Sequence, residues 1–138
     1  MSAVEPDEVV AAAAFRSELR RFLQRSDQVA AELGLTPQRY DLLLQVKASP
    51  GGRSSVTELS RKLHLRQTAV TELVKRAEDA GLVKRSRSET DRRVVLVALT
   101  GEGNESVTRV FDALRRDRVE LAKTFAELDI QFRALSKV

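Results

Sequence analysis

At 138 residues, with 42% hydrophobic and 32% charged side chains, the chain is long enough for one domain with its own core and too short for two of ordinary size; its Ala, Leu, Glu, Arg and Lys usage favours helix. It contains no cysteine and one histidine, His64, which excludes disulfides, thiolate ligands and thiol redox switching and leaves a nitrogen and sulfur metal centre almost without ligands, so neither metal nor cofactor is expected. The net charge of +4 is localised: from Arg61 to Arg93 ten Lys or Arg stand against five acids, so this third carries +5 and the remainder −1, the footprint of a surface that meets a polyanion.

The longest apolar runs, Val9 to Phe15 and Val94 to Leu99, are far below the roughly 18 residues that span a bilayer. The first follows Glu5, Asp7 and Glu8, where a signal peptide would carry positive charge. A cytoplasmic protein with no membrane partner is expected.

From Asp7 to Leu33 apolar residues recur at mostly three- and four-residue spacings, through Val10, Ala14, Phe15, Leu19, Phe22, Leu23 and Val29, which predicts a long helix with an apolar stripe ended by Gly34. Thr36-Pro37 opens a second helix, the hydroxyl as N-cap and proline in the first turn, with Tyr40, Leu43, Leu44 and Val46 directed to the core. Ser49 to Ser54, with Pro50, Gly51 and Gly52, reads as a loop. Ser55-Val56-Thr57-Glu58 is a capping-box pattern that starts a short third helix with Leu59 and Leu63 inward. His64 and Leu65 form a turn, and Gln67 to Ala80 make a fourth helix with Val70, Leu73, Val74 and Ala77 on one face and Thr68, Thr71, Glu72, Lys75 and Arg76 on the other.

Gly81 stands where a left-handed cap is wanted, with Leu82 as its hydrophobic contact. Leu82 to Arg87 and Val94 to Leu99 then read as two antiparallel strands joined by a polar tip, Glu89-Thr90-Asp91-Arg92-Arg93. Thr100 caps a last long helix through Val107, Val110, Phe111, Leu114, Leu121 and Phe125.

Two helices joined by a tight turn, the second with a polar outer face, followed by a two-stranded ribbon, form a winged helix-turn-helix. The fold class is therefore mainly α with a small β wing (α+β). A helix fits the major groove and its outward side chains meet base edges, while an arginine-bearing β tip is narrow enough for the adjacent minor groove. No nucleophile with a base, and no metal set, can be assembled from acids interleaved with bases along helices, so an enzyme is not expected.

The residues at this point resemble the MarR family of bacterial transcription regulators. The resemblance is carried by Ser55-Val56-Thr57-Glu58-Leu59-Ser60 with Lys62-Leu63-His64-Leu65, by Ala69-Val70-Thr71, and by Ala80-Gly81-Leu82-Val83-Lys84-Arg85. It is strongest in Asp91-Arg92-Arg93 followed by Val94 to Thr100 and Gly103, and it covers roughly residues 35–105. It implies a single domain over 1–138, with a winged DNA-binding lobe at 35–100 and helical dimerisation regions at 7–33 and 101–138.

What the resemblance implies further is a homodimer on double-stranded DNA at a palindromic operator, most often a repressor. The apolar stripes of the terminal helices agree, since they offer more apolar surface than one small lobe can cover; Phe15, Leu19, Phe22, Val110, Phe111, Leu114, Leu121 and Phe125 are the expected interface. In the wing Arg93, with Arg92 beside it, would enter the minor groove, Asp91 would brace the tip, and Arg87 would contact DNA. Gln67, Thr68, Thr71 and Lys75 would read bases from the recognition helix, with Arg76 on phosphate, and Arg61, Arg66 and Lys84 would also hold phosphates. Relatives that release DNA on binding a small aromatic or anionic effector point to Arg16, Arg20, Arg39 and Tyr40 as candidate lining of a ligand crevice.

The chain departs from the family pattern at two places. His64 stands where glycine is usual, and Arg66 stands where Ser or Thr would cap the recognition helix, which gives up a cap for a positive charge. The alternative reading is a winged helix used for protein contact or for non-specific DNA binding without ligand control; apolar side chains on the outer face of the 67–80 helix would mark the protein-contact version, and that face is polar and basic.

Overall fold

A computed structural model describes residues 3–135, the side chains of 134 and 135 excepted, so the last three residues of the expected 101–138 region lie outside the described residues. The elements are α1 (Pro6–Glu32), α2 (Pro37–Ala48), a 3-10 turn (Pro50–Gly52), β1 (Arg53–Ser55), α3 (Val56–Leu63), α4 (Gln67–Asp79), β2 (Val83–Arg87), β3 (Val95–Leu99), α5 (Gly101–Ala113) and α6 (Arg115–Leu135). They fall into two compact units, one built from the residues up to Val29 and those from Ala113 onward, the other from Ala30 to Asp112.

In the terminal unit, α1 and α6 meet through aromatic rings. Phe15 stacks on Phe125 with centroids 4.8 Å apart, and Phe132 stands edge-on to Phe15 at 6.4 Å, the offset and edge geometries that ring quadrupoles favour. Ala11, Leu114 and Leu128 are buried there, and Arg25 faces Asp117 at 3.8 Å.

The second unit is the winged lobe. Leu42, Leu43, Val46, Leu59, Val70, Val74, Val83, Val97, Val107 and Val110 are buried, each contributing roughly 1.5–3 kcal/mol from apolar burial. Thr36 caps α2, its hydroxyl accepting from the Arg39 N–H at 3.2 Å. Ser55 caps α3 by accepting from the Glu58 N–H at 3.1 Å. The Glu58 carboxylate pairs with Arg61 at 2.6 Å, whereas the expected capping box has it reach back to the cap. The turn between α3 and α4 is tied twice by Ser60, whose carbonyl accepts from the Leu65 N–H and whose hydroxyl donates to the Leu65 carbonyl.

Four further structural expectations need correction. The region read as loop ends in a strand: β1 pairs antiparallel with β3, Ser54 opposite Val97, so the sheet has three strands in the order β1-β3-β2. Arg53-Ser54-Ser55 lacks β-favouring side chains, and pairing with the open edge of β3 overrides that local preference. Leu42, not Leu44, completes the core face of α2, Leu44 being only half-buried. The last helix is two helices: α5 ends at Ala113 and α6 starts its own ladder with the Arg118 N–H donating to the Leu114 carbonyl at 2.9 Å. Val110 and Leu114, expected at a dimer interface, are fully covered within one chain and are core residues.

Candidate nucleic-acid interface

The recognition helix is α4. Its inner face buries Val70, Leu73, Val74 and Ala77, and Gln67, Thr68, Thr71, Glu72, Lys75 and Arg76 are exposed on the other side. The 3.6-residue period thus separates a core stripe from a polar stripe long enough to lie in a groove. Its start has no side-chain cap, since Arg66 occupies the cap position in extended backbone. His64 adopts the left-handed conformation, φ 55 and ψ 41, that the chain reversal between α3 and α4 requires.

At the other end of α4, Gly81 at φ 78 turns the chain back. The Leu82 N–H reaches the Ala77 carbonyl and the Gly81 N–H the Glu78 carbonyl, both at 2.9 Å, the paired bonds of a glycine-capped helix end. β2 therefore begins alongside the last turn of α4.

The wing pairs Val83 with Leu99 through to Arg87 with Val95. Its tip is braced from within. Asp91 accepts from the Arg93 N–H at 3.1 Å and from Arg93 Nε and Nη2 at 3.2 and 3.4 Å. Arg87 spans the hairpin and donates to the Arg92 carbonyl at 2.8 Å. Both arginines at the tip, Arg92 and Arg93, remain exposed.

A groove of about 490 Å³ joins these parts. It is walled by Ser55, Val56 and Thr57 at the start of α3, by Gln67, Thr71 and Val74 of α4, and by Arg85, Arg93, Val94 and Val95 of the wing. The structure thereby brings Gln67 and Thr71 together with Arg93 around one concavity. Thr68, Lys75 and Arg76 lie on α4 outside it, and Arg87 borders a second depression with Glu78, Arg85, Ser86 and Val95.

The sequence profile of the MarR family matches residues 33–94. Across 106 residues, 75% of the chain and 67% of the relative, the protein is 34% identical to the HTH-type transcriptional regulator YcgE of Bacillus subtilis. The chain belongs to the MarR family. It is also 32% identical over 71 residues to the transcriptional repressor MdtR of Bacillus subtilis, a match that takes in 51% of this chain and 44% of MdtR. Among solved structures, Sco3205, a MarR-family regulator of Streptomyces coelicolor in complex with DNA, superposes with a TM-score of 0.74 at 22% identity, covering 99% of this chain and 91% of that one. The protein is a DNA-binding transcriptional regulator of the MarR type and not an enzyme.

Within this MarR lobe the basic residues divide into two sets. Arg61 pairs with Glu58 at 2.6 Å, Arg76 with Glu72 at 3.3 Å, Arg85 with Glu78 at 2.9 Å and Arg93 with Asp91 at 3.2 Å. Arg66, Lys75, Lys84 and Arg92 make no ion pair among the described residues and are exposed. The paired carboxyls of Glu58, Glu78 and Asp91 are held below their usual range, in each case first by a side-chain hydrogen bond from the arginine. All four pairs are solvent-exposed, where such contacts stabilise little; their effect is to orient guanidinium groups.

The effector candidates are divided between the two units. Arg16 and Arg20 line a depression of about 290 Å³ on α1 with Phe15, Leu19, Leu23, Gln24 and Asp27. Arg39 is half-exposed on α2, and Tyr40, at 5% exposure, is part of the core of the lobe instead of an open crevice. Of the expected interface residues, Phe15 and Phe111 are the most exposed, while Leu19, Phe22, Leu121 and Phe125 are half-buried. Leu23, part of the apolar stripe expected on the first helix, and Val119 and Ile130 add exposed apolar surface beyond the expected interface residues. No described helix is long and apolar enough to cross a membrane.

Two residues to which the sequence reading gave no role at the site, Glu78 and Arg85, form a pair there. A signal existed: they flank Gly81 at near-equal distance, and a reversal at that glycine sets the last turn of α4 beside the third residue of β2.

Proposed function

We propose that this protein acts in the cytoplasm as a homodimeric repressor that covers a palindromic operator near a promoter and blocks polymerase. The observation that carries the reading is the groove at which the polar face of α4 and the arginine-tipped wing converge. In this arrangement Gln67, Thr68, Thr71 and Lys75 face base edges in the major groove. Arg93, with Arg92, enters the neighbouring minor groove, where a narrow A·T-rich segment concentrates negative potential. Arg66 and Lys84 hold phosphates without having to leave an internal partner, whereas Arg61 and Arg76 must exchange Glu58 and Glu72 for phosphate.

Two features of relatives support the details: Sco3205 is seen in complex with DNA, and MdtR is a repressor. The homodimer is supported by Phe15, Leu23, Val119 and Ile130, each between 37% and 70% exposed on the terminal helices, which is apolar surface of the kind a second copy covers. An aromatic or anionic effector is supported by the apolar depression edged by Arg16 and Arg20.

Light scattering tests the assembly. Free protein is expected at twice the 15.4 kDa chain mass, and its complex with one selected duplex at two chains per duplex. One chain per duplex would overturn the homodimeric reading.

A further inference from the structure

One acid on the DNA-facing lobe is placed where plain electrostatics would not put it. Glu78 lies in the last turn of α4, and Arg85 is the third residue of β2. Arg85 Nε and Nη2 donate to Glu78 Oε1 at 3.1 and 2.9 Å, and the Arg85 backbone N–H donates to Oε2 at 3.1 Å. Three donors of one residue, side chain and main chain together, therefore grip both oxygens of one carboxylate.

The sheet order explains the main-chain bond. β2 is an outer strand, and an N–H on the open side of an outer strand has no strand partner. Glu78 supplies the missing acceptor. The other pairs on this surface, Glu58 with Arg61, Glu72 with Arg76 and Asp91 with Arg93, stay within one helix or one turn; Glu78 and Arg85 join the recognition helix to the wing. Arg85 also walls the groove shared by Gln67, Thr71 and Arg93, so the clamp sits at the joint between the part facing the major groove and the part facing the minor groove.

We propose that Glu78 is a positioning residue for DNA recognition: by clamping Arg85 it sets the wing at a fixed angle to α4, so that Arg93 and the recognition helix engage adjacent grooves in register. Arg85, oriented and neutralised by Glu78, is a strut and not a phosphate ligand. The proposal rests on the DNA-binding reading above and adds a residue whose charge has the wrong sign for direct contact.

That sign makes the test sharp. Removing an acid from a surface that meets a polyanion should tighten binding if electrostatics alone operates, whereas loss of the clamp should weaken it. Glu78→Gln, Glu78→Asp, Arg85→Ala and the Glu78→Gln/Arg85→Ala double variant are compared on a duplex selected by the wild-type protein and on a random duplex. The clamp predicts operator affinity about threefold to tenfold weaker for Glu78→Gln, with the double variant no worse than Arg85→Ala alone. It also predicts an intermediate value for Glu78→Asp, unchanged random-duplex binding and an unchanged salt slope.

Amide hydrogen exchange on the free proteins supplies a readout that needs no DNA. Exchange at Arg85 and through the wing should accelerate in Glu78→Gln while that of the α4 core amides does not, which also shows that the variant is folded. Binding by Glu78→Gln as tight as wild type, a salt slope flattened by about one for Arg85→Ala, or unaltered wing exchange would each overturn the clamp. If the wild-type protein selects no sequence, the DNA reading fails, and the exchange data alone decide whether Glu78 holds the wing.

Discussion

Replacing Gly103 by alanine should destabilise the winged lobe although alanine is the better helix former. Gly103 is the third residue of α5, and a Cβ there would lie 1.9 Å from the Leu82 carbonyl oxygen and 2.8 Å from its carbon. Ordinary contact begins at 3.4 Å, so oxygen and Cβ must separate by about 1.5 Å, an overpacking that costs typically 1–3 kcal/mol. The Leu82 oxygen cannot retreat freely. It accepts from the Thr100 N–H at 3.0 Å, and the Thr100 hydroxyl both donates to the Gly81 carbonyl at 2.6 Å and accepts from the Gly103 N–H at 3.0 Å.

Breaking one of these bonds adds about 1–3 kcal/mol, and the helix preference of alanine returns about 1 kcal/mol. The net expectation is a loss of about 1–5 kcal/mol. Urea unfolding followed by circular dichroism at a fixed protein concentration is the assay, and with a slope of about 2 kcal/mol/M the midpoint should fall by roughly 0.5–2.5 M. Gly101→Ala, whose Cβ would meet nothing within 4 Å, is the control. Gly103→Ala as stable as wild type, or more so, would refute the close approach of α5 to the Gly81-Leu82 turn.

The remaining predictions concern the DNA-facing surface. His64→Gly should raise stability by about 0.5–1 kcal/mol, read by thermal melting, because the left-handed conformation at φ 55 strains a residue with a Cβ. Arg66→Ser should add the missing cap and stabilise by about 1 kcal/mol while binding DNA more weakly in a salt titration; unweakened binding would contradict the trade of cap for charge. Arg93→Ala should lower affinity about tenfold and lessen the preference for narrow A·T-rich minor grooves, whereas Lys84→Ala should weaken all sequences alike and flatten the salt slope by about 0.9. Glu58, Glu78 and Asp91 have carboxyls lowered by their arginine partners, so the contribution of these pairs is fully present above the ordinary range of about pH 3.9–4.3 and is lost as the pH falls below it. Wing hydrogen exchange should accordingly stay unchanged from pH 8 to 5 apart from its intrinsic pH dependence; a further change within that window would contradict the assignment to these carboxylates.

Much of the fold was legible because its punctuation is local. Thr36-Pro37, Ser55 and Gly81 each act within a few residues of an element boundary, and the core and polar stripes of α4 follow from spacing alone. The failures are of a different kind. β1 is polar and forms only because β3, far along the chain, offers an open edge. In Leu42-Leu43-Leu44 every position is apolar, so composition leaves the inward face of α2 undetermined. The break at Leu114 carries no proline or glycine, and the three- and four-residue spacing of Gly103, Val107, Val110 and Leu114 runs on to Leu121, Phe125 and Leu128 as though the helix were continuous.

For the interface, residue types at the tip and on α4 were legible, but which arginines are already engaged was not. Arg61, Arg76, Arg85 and Arg93 differ from Arg66, Lys75, Lys84 and Arg92 in their internal partners, and of these pairings the sequence reading included only the brace by Asp91. The distinction bears on affinity, because a phosphate that recruits a paired arginine must replace a carboxylate it already has.

Selection of bound sites from a random duplex library by the purified protein, at near-physiological salt, tests the central claim most directly. The account predicts enrichment of an inverted repeat whose half-sites are centred about one helical turn, 10–10.5 base pairs, apart, with A·T-rich steps where the wings fall. Enrichment of no sequence, with binding that disappears as salt is added, would contradict it and leave the basic surface as a non-specific electrostatic one.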